Sequence, residues 1–245
     1  MSEEMKIADY LAQGGKLTNP TNVPPRYRAE LLKIMSTFVD TELAGAAGFA
    51  DAINTGPGIR DRIAATRIVL EKTENADKVL RIMGEFGTDT ERYASQHPWS
   101  DRLPRDTAPG STRSAHDMRL SVFNYPIEGW VDSVVLQFCM GHAGSLQLED
   151  MVKVSYQPLA DAIRDVAPRE AKHTELAEKT ISALREAGES EAVDAALDYW
   201  KPRVEAIFGD PSEDRMAQLK SWGLRHSTGA EMRSAWETRM AAALG

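Results

Sequence analysis

The sequence predicts an all-α protein, a bundle of long helices. Apolar residues recur at helical spacing through most of the 245 residues, which indicates helices with one buried face. The alternating patterns and Asn-Gly or Asp-Gly turns that mark strands and hairpins do not occur. A long connection interrupts the helical pattern near the middle. Together these features are typical of a four-helix bundle with one crossover, and we expect a single domain over residues 1–245 with additional C-terminal helices.

The first half of the chain contains two predicted long helices. Residues 1–25 include three prolines and are expected to be loosely ordered. A helix is predicted over residues 26–53, where apolar positions fall on one side, and the Thr-Gly-Pro-Gly sequence at 55–58 ends it. A second helix is predicted over 59–86, with a glycine directly after its end, as is common at helix C-termini.

The second half contains the remaining helices. Residues 96–118 are rich in proline and polar residues and are predicted to form the long connection. A helix over 128–154 has apolar residues on several faces, and another over 159–187 contains Pro168, which predicts a break or kink. Three shorter C-terminal helices are predicted, at 190–208, 213–224 and 230–244.

Composition excludes several classes of function. The net charge is −8 and no basic tract is present, which argues against nucleic-acid binding. The longest apolar run, near residues 134–140, is far shorter than the roughly 20 residues that span a bilayer. The N-terminus is acidic where a secretory signal is basic and then apolar. The one cysteine, Cys139, cannot form an internal disulfide and is expected to be a packed thiol. We therefore expect a cytoplasmic protein.

The most informative motif is the tetrad Glu170-Ala-Lys-His173 in the predicted fourth helix. Residues three apart on a helix project to nearly the same side, so this carboxylate and this imidazole can hold one metal ion between them. Bundles with a di-metal centre use such a Glu-x-x-His unit on two helices and a single carboxylate on each of the other two. A solvated Glu and His is the simpler interpretation of one isolated tetrad.

A longer set of motifs accompanies the tetrad. It consists of Ser-Val-Phe-Asn-Tyr-Pro at 121–126, Trp-Val-Asp at 130–132, Ser-Tyr at 155–156, Tyr-Trp-Lys-Pro at 199–202, Phe-Gly-Asp-Pro at 208–211, Trp222 and Thr-Glu-Leu-Ala-Gly at 41–45. With these motifs the chain resembles the catalytic subunits of phenylacetyl-CoA epoxidases over about 180 residues. The Phe-Asn-Tyr-Pro string and its distance from Glu170 and His173 are the most specific part of the resemblance.

The resemblance implies a ferritin-like fold with a di-iron centre that uses dioxygen to epoxidise the aromatic ring of a CoA thioester. It also implies reductase components and a related scaffold subunit. The expected partners of this chain are therefore a small-molecule substrate such as a CoA thioester, an electron-donor protein, and a second copy or a related subunit. Neither nucleic acid nor a membrane is expected.

The metal ligands transfer only in part. The resemblance places the first-helix ligand at Glu42 and the fourth-helix pair at Glu170 and His173. In the second helix, the register favours Glu74 with Asp77 in place of the usual histidine. Glu71 with Glu74 is an alternative, and a solvated acidic face is another interpretation of these residues.

The third helix departs further, because the position of its carboxylate falls on Gly141. Asp132 lies nine residues earlier and about half a rotation away, Gln137 is one turn back on a similar face, and the adjacent His142 is about 100° round. None of the three replaces the carboxylate without a shift of register. The resemblance leaves an oxygen-rich set that suits iron or manganese, with the second metal of a dinuclear centre poorly supported.

Two functions follow from these observations. The first is an oxygen-activating, metal-dependent monooxygenase, an oxidoreductase that acts on a small organic molecule such as a CoA thioester, with a metal held by Glu42, Glu74, Asp77, Glu170 and His173. The alternative is a non-catalytic scaffold subunit that has kept the bundle and lost its metal site. Metal content distinguishes the two.

Overall fold

The computed structural model describes residues 3–96, 98–114 and 117–245. Within these residues the chain forms nine α-helices and no β-strand, which confirms the predicted all-α class. The helices are α1 Glu3–Ala12, α2 Pro25–Ala52, α3 Ile59–Glu85, α4 Thr90–Gln96, α5 Trp130–Met151, α6 Gln157–Glu186, α7 Ser190–Glu205, α8 Glu213–Ser221 and α9 Gly229–Leu244.

Four long helices make up a ferritin-like bundle. Helix α2 packs along α3, α5 packs along α6, and α3 faces α6 across the bundle. The short connections after α2 and after α5 make each pair antiparallel. The connection between α4 and α5 is the long crossover that the prolines predict. Helices α7 and α9 pack on the outside of α5.

Local sequence explains where the long helices begin and end. Pro25 is the first residue of α2, where its fixed φ is compatible with a helix and its missing N–H costs nothing. Gly87 has φ +90° after the end of α3, a conformation that favours glycine. Pro168 lies inside α6, and the helix continues from Gln157 to Glu186 around it. The predicted break is therefore absent, because packing on both sides of the proline holds the helix together.

Two buried apolar side chains of residues 3–24 contact the bundle. Ile7 of α1 is 4% exposed and Leu17 is 1% exposed, so both lie in the core. The backbone of Leu17 accepts a hydrogen bond from Gln157 N at 2.8 Å, and an isolated parallel bridge joins Leu17 to Tyr156. The prolines prevent a long helix here, but burial of these apolar side chains fixes the path of the chain.

The buried apolar residues form two clusters, and the bundle's polar residues lie between them. Tyr27, Leu31 and Met35 belong to the first cluster, while Phe138 and Trp200 belong to the second. Along each of α2, α3 and α6, the chain passes from one cluster to the other through a short polar stretch. In the described residues, no helix is long and apolar enough to cross a membrane.

Candidate functional site

Five polar side chains meet in the middle of the bundle. Glu42 comes from α2, Lys72 and Asn75 from α3, and Glu170 and His173 from α6, and all five residues are at most 8% exposed. We call these residues the central cluster. So many buried polar groups are uncommon in a helical core unless they are paired, so the contacts within the cluster decide what it can do.

The ammonium group of Lys72 lies between the two carboxylates. Its Nζ donates to Glu170 Oε2 at 2.9 Å and to Glu42 Oε1 at 3.3 Å. The Nδ2 of Asn75 donates to the other oxygen of each, at 3.2 Å from Glu42 Oε2 and 3.1 Å from Glu170 Oε1. The two carboxylates are therefore bridged twice, once by a positive charge and once by an amide.

Small residues on α2 make room for the lysine. At Gly45, a Cβ atom would lie 3.4 Å from Lys72 Cδ and 3.3 Å from the Phe123 ring. These separations are at or below ordinary van der Waals contact, so a larger side chain would press on the lysine stem. Gly45 is therefore part of the structure that holds the lysine stem beside α2.

His173 links the central cluster to the outer surface of the bundle. Its Nε2 donates to Glu71 Oε2 at 2.5 Å, and the side chain of Glu71 is 25% exposed. The second ring nitrogen, Nδ1, lies 3.4 Å from Glu170 Oε1 and forms no hydrogen bond, although it is buried. Only the Nε2 atom of this imidazole is therefore hydrogen-bonded.

Burial and charge shift the protonation of the cluster. Burial, together with repulsion from Glu170, raises the pKa of Glu42 to about 7, although Lys72 and Asn75 oppose the change. Burial also acts on Glu170, but the Lys72 charge and the neighbouring imidazole outweigh it and lower its pKa to about 2. For Lys72, the two carboxylates outweigh burial and raise the pKa. A charged lysine paired with at least one charged carboxylate is thus the stable form at neutral pH.

The structure brings together three of the five residues predicted as metal ligands, Glu42, Glu170 and His173. The other two lie on the outside of α3. Glu74 accepts from Arg169 Nη1 at 2.7 Å, with its side chain 51% exposed. Asp77 is 55% exposed and pairs with Arg81 one turn later, at 2.7 Å. Neither carboxylate reaches the central cluster.

The sequence contained a signal for the α3 residues that do face the cluster. Ile68, Lys72, Asn75, Ala76 and Val79 follow one another at helical spacing and are all buried. Lys72 and Asn75 therefore interrupt an apolar stripe, which is the pattern that marks a polar residue pointing into a core. The predicted metal ligands on α3, Glu74 and Asp77, follow from residue type, and both lie off this stripe.

The third-helix position has no room for a side chain. A Cβ atom at Gly141 would lie 2.3 Å from Thr174 Oγ1 and 3.0 Å from Thr174 Cβ. Thr174 is itself buried and donates to the carbonyl of Glu170 at 3.0 Å. A threonine on α6 therefore fills the space that a carboxylate on α5 would occupy.

The other polar residues of α5 have separate partners. Asp132 accepts two hydrogen bonds from Arg105, at 2.9 and 3.0 Å, and one from Trp200 Nε1 at 2.8 Å, far from the cluster. His142 faces Glu178, with its Nε2 3.1 Å from Glu178 Oε1. Of Asp132, Gln137 and His142, the three positions near the missing carboxylate, Gln137 lines the cavity beside the central cluster.

A cavity of about 480 Å³ opens from the central cluster. The buried Glu42, Lys72 and Glu170 line its inner end. Its more exposed lining residues include Lys33 and Arg215, which both form ion pairs with Glu30, at 3.1 and 2.7 Å. Most of the wall is apolar and comes from α2, α5, the crossover and the C-terminal segment. These residues include Ile34, Phe38, Leu120, Phe123, Met140, Leu148, Met151, Leu219, Leu224 and Met232.

The central cluster does not fit a dinuclear metal centre. Such a centre takes carboxylates from all four helices and an imidazole from two of them. Here α3 contributes an ammonium and an amide, and α5 contributes Gly141. The ammonium would repel a metal ion placed between Glu42 and Glu170. The described part of the chain contains no group of three or more His, Cys, Asp or Glu residues arranged to hold a metal.

Comparison with known proteins assigns the family. The profile of the family described as "Phenylacetic acid catabolic protein" matches residues 5–245, nearly the whole chain. The chain belongs to this family. One of the subunits of the 1,2-phenylacetyl-CoA epoxidase of Escherichia coli (strain K12) is 21% identical over 238 residues, which cover 95% of this chain and 72% of that protein. The resemblance inferred from the motifs is thereby confirmed.

Proposed function

We propose that this chain is a metal-independent subunit of the phenylacetic acid catabolic family that binds a small organic molecule and does not itself activate oxygen. The observation that carries the proposal is the position of Lys72 Nζ, 2.9 Å from Glu170 and 3.3 Å from Glu42. An ammonium there supplies the positive charge that a metal would otherwise supply. The bundle is then stable without a metal, and the expected role is that of a scaffold with a binding cavity.

The cavity supports a ligand with an apolar body and a negatively charged end. Its walls are largely aliphatic and aromatic, and its lining also includes Arg225 together with Lys33 and Arg215, which are paired with Glu30. Apolar walls with a few placed polar groups are typical of small-molecule sites. The similar Escherichia coli protein is named for phenylacetyl-CoA, and a thioester of this kind has an aromatic acyl end and an anionic carrier. We propose that this chain binds such a thioester with the acyl end directed toward the central cluster.

Metal analysis and ligand binding together test this proposal. Protein purified from cells supplemented with iron or manganese should contain far less than one metal per chain, and its thermal stability should not change with a chelator. Phenylacetyl-CoA should bind, as measured by calorimetry, without oxygen consumption when a reductase and NADPH are added. Met140→Trp, which fills the cavity, should abolish binding. About one or two metals per chain, or oxygen uptake that depends on the thioester, would overturn the proposal.

A metal-dependent oxygenase is the second candidate, and one observation favours it. The buried Nδ1 of His173 has no hydrogen bond and lies 3.4 Å from a Glu170 oxygen, so the two could hold an iron or manganese ion if Lys72 turned away. Under this alternative, His173→Ala lowers metal content sharply, whereas His226→Ala, at an exposed position, leaves it unchanged. Equal metal content in His173→Ala and wild type contradicts this candidate.

A further inference from the structure

The first four turns of α3 carry apolar side chains on the outside of the bundle. Ile59 is 72% exposed, Ile63 is 54% exposed and Leu70 is 57% exposed, the three highest values among the large hydrophobic residues described. A few scattered apolar side chains on a surface need no explanation. These three, however, lie on one helix and on one face of it.

Their spacing is that of a helix-pairing seam. Ile59, Ile63, Thr66, Leu70 and Thr73 are separated alternately by four and three residues, as in the contact positions of paired helices. We call these five residues the α3 seam. The hydroxyl groups of Thr66 and Thr73 donate to the backbone carbonyls of Arg62 and Val69, at 2.8 and 2.9 Å. Because these hydroxyls are already bonded within the helix, the seam can be covered by another protein surface without losing hydrogen bonds to water.

The charges beside the seam change sign along the helix. On one flank of the seam, Arg60 lies at the N-terminal end, Arg67 near the middle, and Glu71 and Glu74 at the C-terminal end. Arg62 lies on the opposite flank. Glu71 and Glu74 each use Oε2 for the contacts with His173 and Arg169. A carboxylate has about four acceptor positions, so each can accept from a further donor.

We infer that two copies of this chain pair through the α3 seam, antiparallel, about a two-fold axis near Thr66. In this register Ile63 of each copy lies beside Leu70 of the other, and Ile59 lies beside Thr73. The same register places Arg60 beside Glu74 of the other copy, on the same flank of the seam. A two-fold contact requires one surface to be complementary to itself. The apolar spacing of the seam and the Arg60–Glu74 pair, which the axis repeats, meet that requirement. The inference does not depend on the proposed function, because it involves neither the central cluster nor the cavity.

Light scattering of the full-length chain at tens of micromolar tests the apolar part. The wild type should be a dimer, and Ile63→Glu should be a monomer. The dissociation constant should rise at least about 100-fold, because each of the two copies would bury a carboxylate in the contact. Tyr10→Glu, on α1 and also exposed at 46%, should leave the dimer intact. Circular dichroism should show equal helix content in all three proteins. A monomeric wild type, or a dimer that Ile63→Glu does not weaken, would overturn the inference.

A charge exchange tests the antiparallel register. Arg60→Glu alone and Glu74→Arg alone should each weaken the dimer, because each creates like charges across the axis. The double variant R60E/E74R should restore it to within about threefold of wild type, since both pairs are present again with reversed signs. In addition, Thr66→Cys should form a disulfide between copies under mild oxidation, because each Thr66 lies next to its own symmetry mate, whereas native Cys139 is fully buried. Failure of both the restoration and the disulfide would show that any dimer uses another surface.

Discussion

Lys72→Met removes the buried ammonium while keeping a side chain of similar length. In this variant Glu42 and Glu170 lose their shared cation and stay buried, at 7% and 8% exposure. Removal of one partner from a buried ion pair costs about 3–5 kcal/mol, because the remaining charge is not compensated. For a chain of this size, the expected fall in Tm is about 6–20 °C, at roughly 2–4 °C for each kcal/mol.

Urea unfolding followed by circular dichroism measures this loss, and Lys78→Met is the matched control. Lys78 lies on the same helix, 3.0 Å from Asp165, but both side chains are partly exposed, so its removal should cost less than about 1 kcal/mol. The triple variant K72M/E42Q/E170Q should recover most of the loss, because no buried charge is then left unpaired. A Lys72→Met protein within about 1 kcal/mol of wild type would show that the ammonium does not stabilise the two buried carboxylates.

Two further predictions concern pH and packing. The pKa of Glu42 is raised from 4.5 to about 7 in the folded chain, so the folded chain keeps this proton to a higher pH than the unfolded chain does. The free energy of unfolding of wild type should therefore fall by up to about 3 kcal/mol as pH rises from 4.5 to 7. Glu42→Gln lacks this loss, so its stability relative to wild type should increase across that range in urea titrations, and a difference that does not vary with pH would contradict the assignment. Gly141→Ala should destabilise by about 1–3 kcal/mol because its Cβ meets Thr174 at 2.3 Å, whereas Gly144→Ala on the same helix meets nothing within 4 Å and should stabilise by about 0.5–1 kcal/mol. Thermal melts measure the stability of the two glycine variants, and Thr174→Ala in the Gly141→Ala background should recover part of the loss. Equal effects of the two glycine substitutions would contradict the predicted contact with Thr174.

The long helices could be predicted from the sequence because their periodicity is a local property. The observed bounds of α2 and α3 differ from the predicted ones by no more than one residue at each end, because glycine and proline mark the ends of both helices. Helix α4 was not predicted, because seven residues are too few to show a periodic pattern. The contacts of Leu17 with Ser155 and Gln157 could not be predicted either, because these residues are distant in sequence.

The candidate site was predictable only where residue type and helical face agree. Glu170 and His173 are the right types on a buried face, so the Glu-x-x-His spacing located them. Lys72 is a residue type that is rarely buried, and its burial depends on two carboxylates from other helices. The contact between Gly141 and Thr174 is likewise tertiary. The polar sequence around His97, His116 and His226 predicts three surface histidines. The first two lie outside the described residues, and His226 is exposed.

The proposed function depends on the position of Lys72, and a crystal grown with manganese tests that position. Data collected at the manganese absorption edge would show whether the centre of the bundle contains a metal. We expect no anomalous peak there, with the Lys72 ammonium at about 3 Å from carboxylate oxygens of both Glu42 and Glu170, as hydrogen bonding requires. An anomalous peak bound by Glu42, Glu170 and His173, with Lys72 turned away from them, would contradict it.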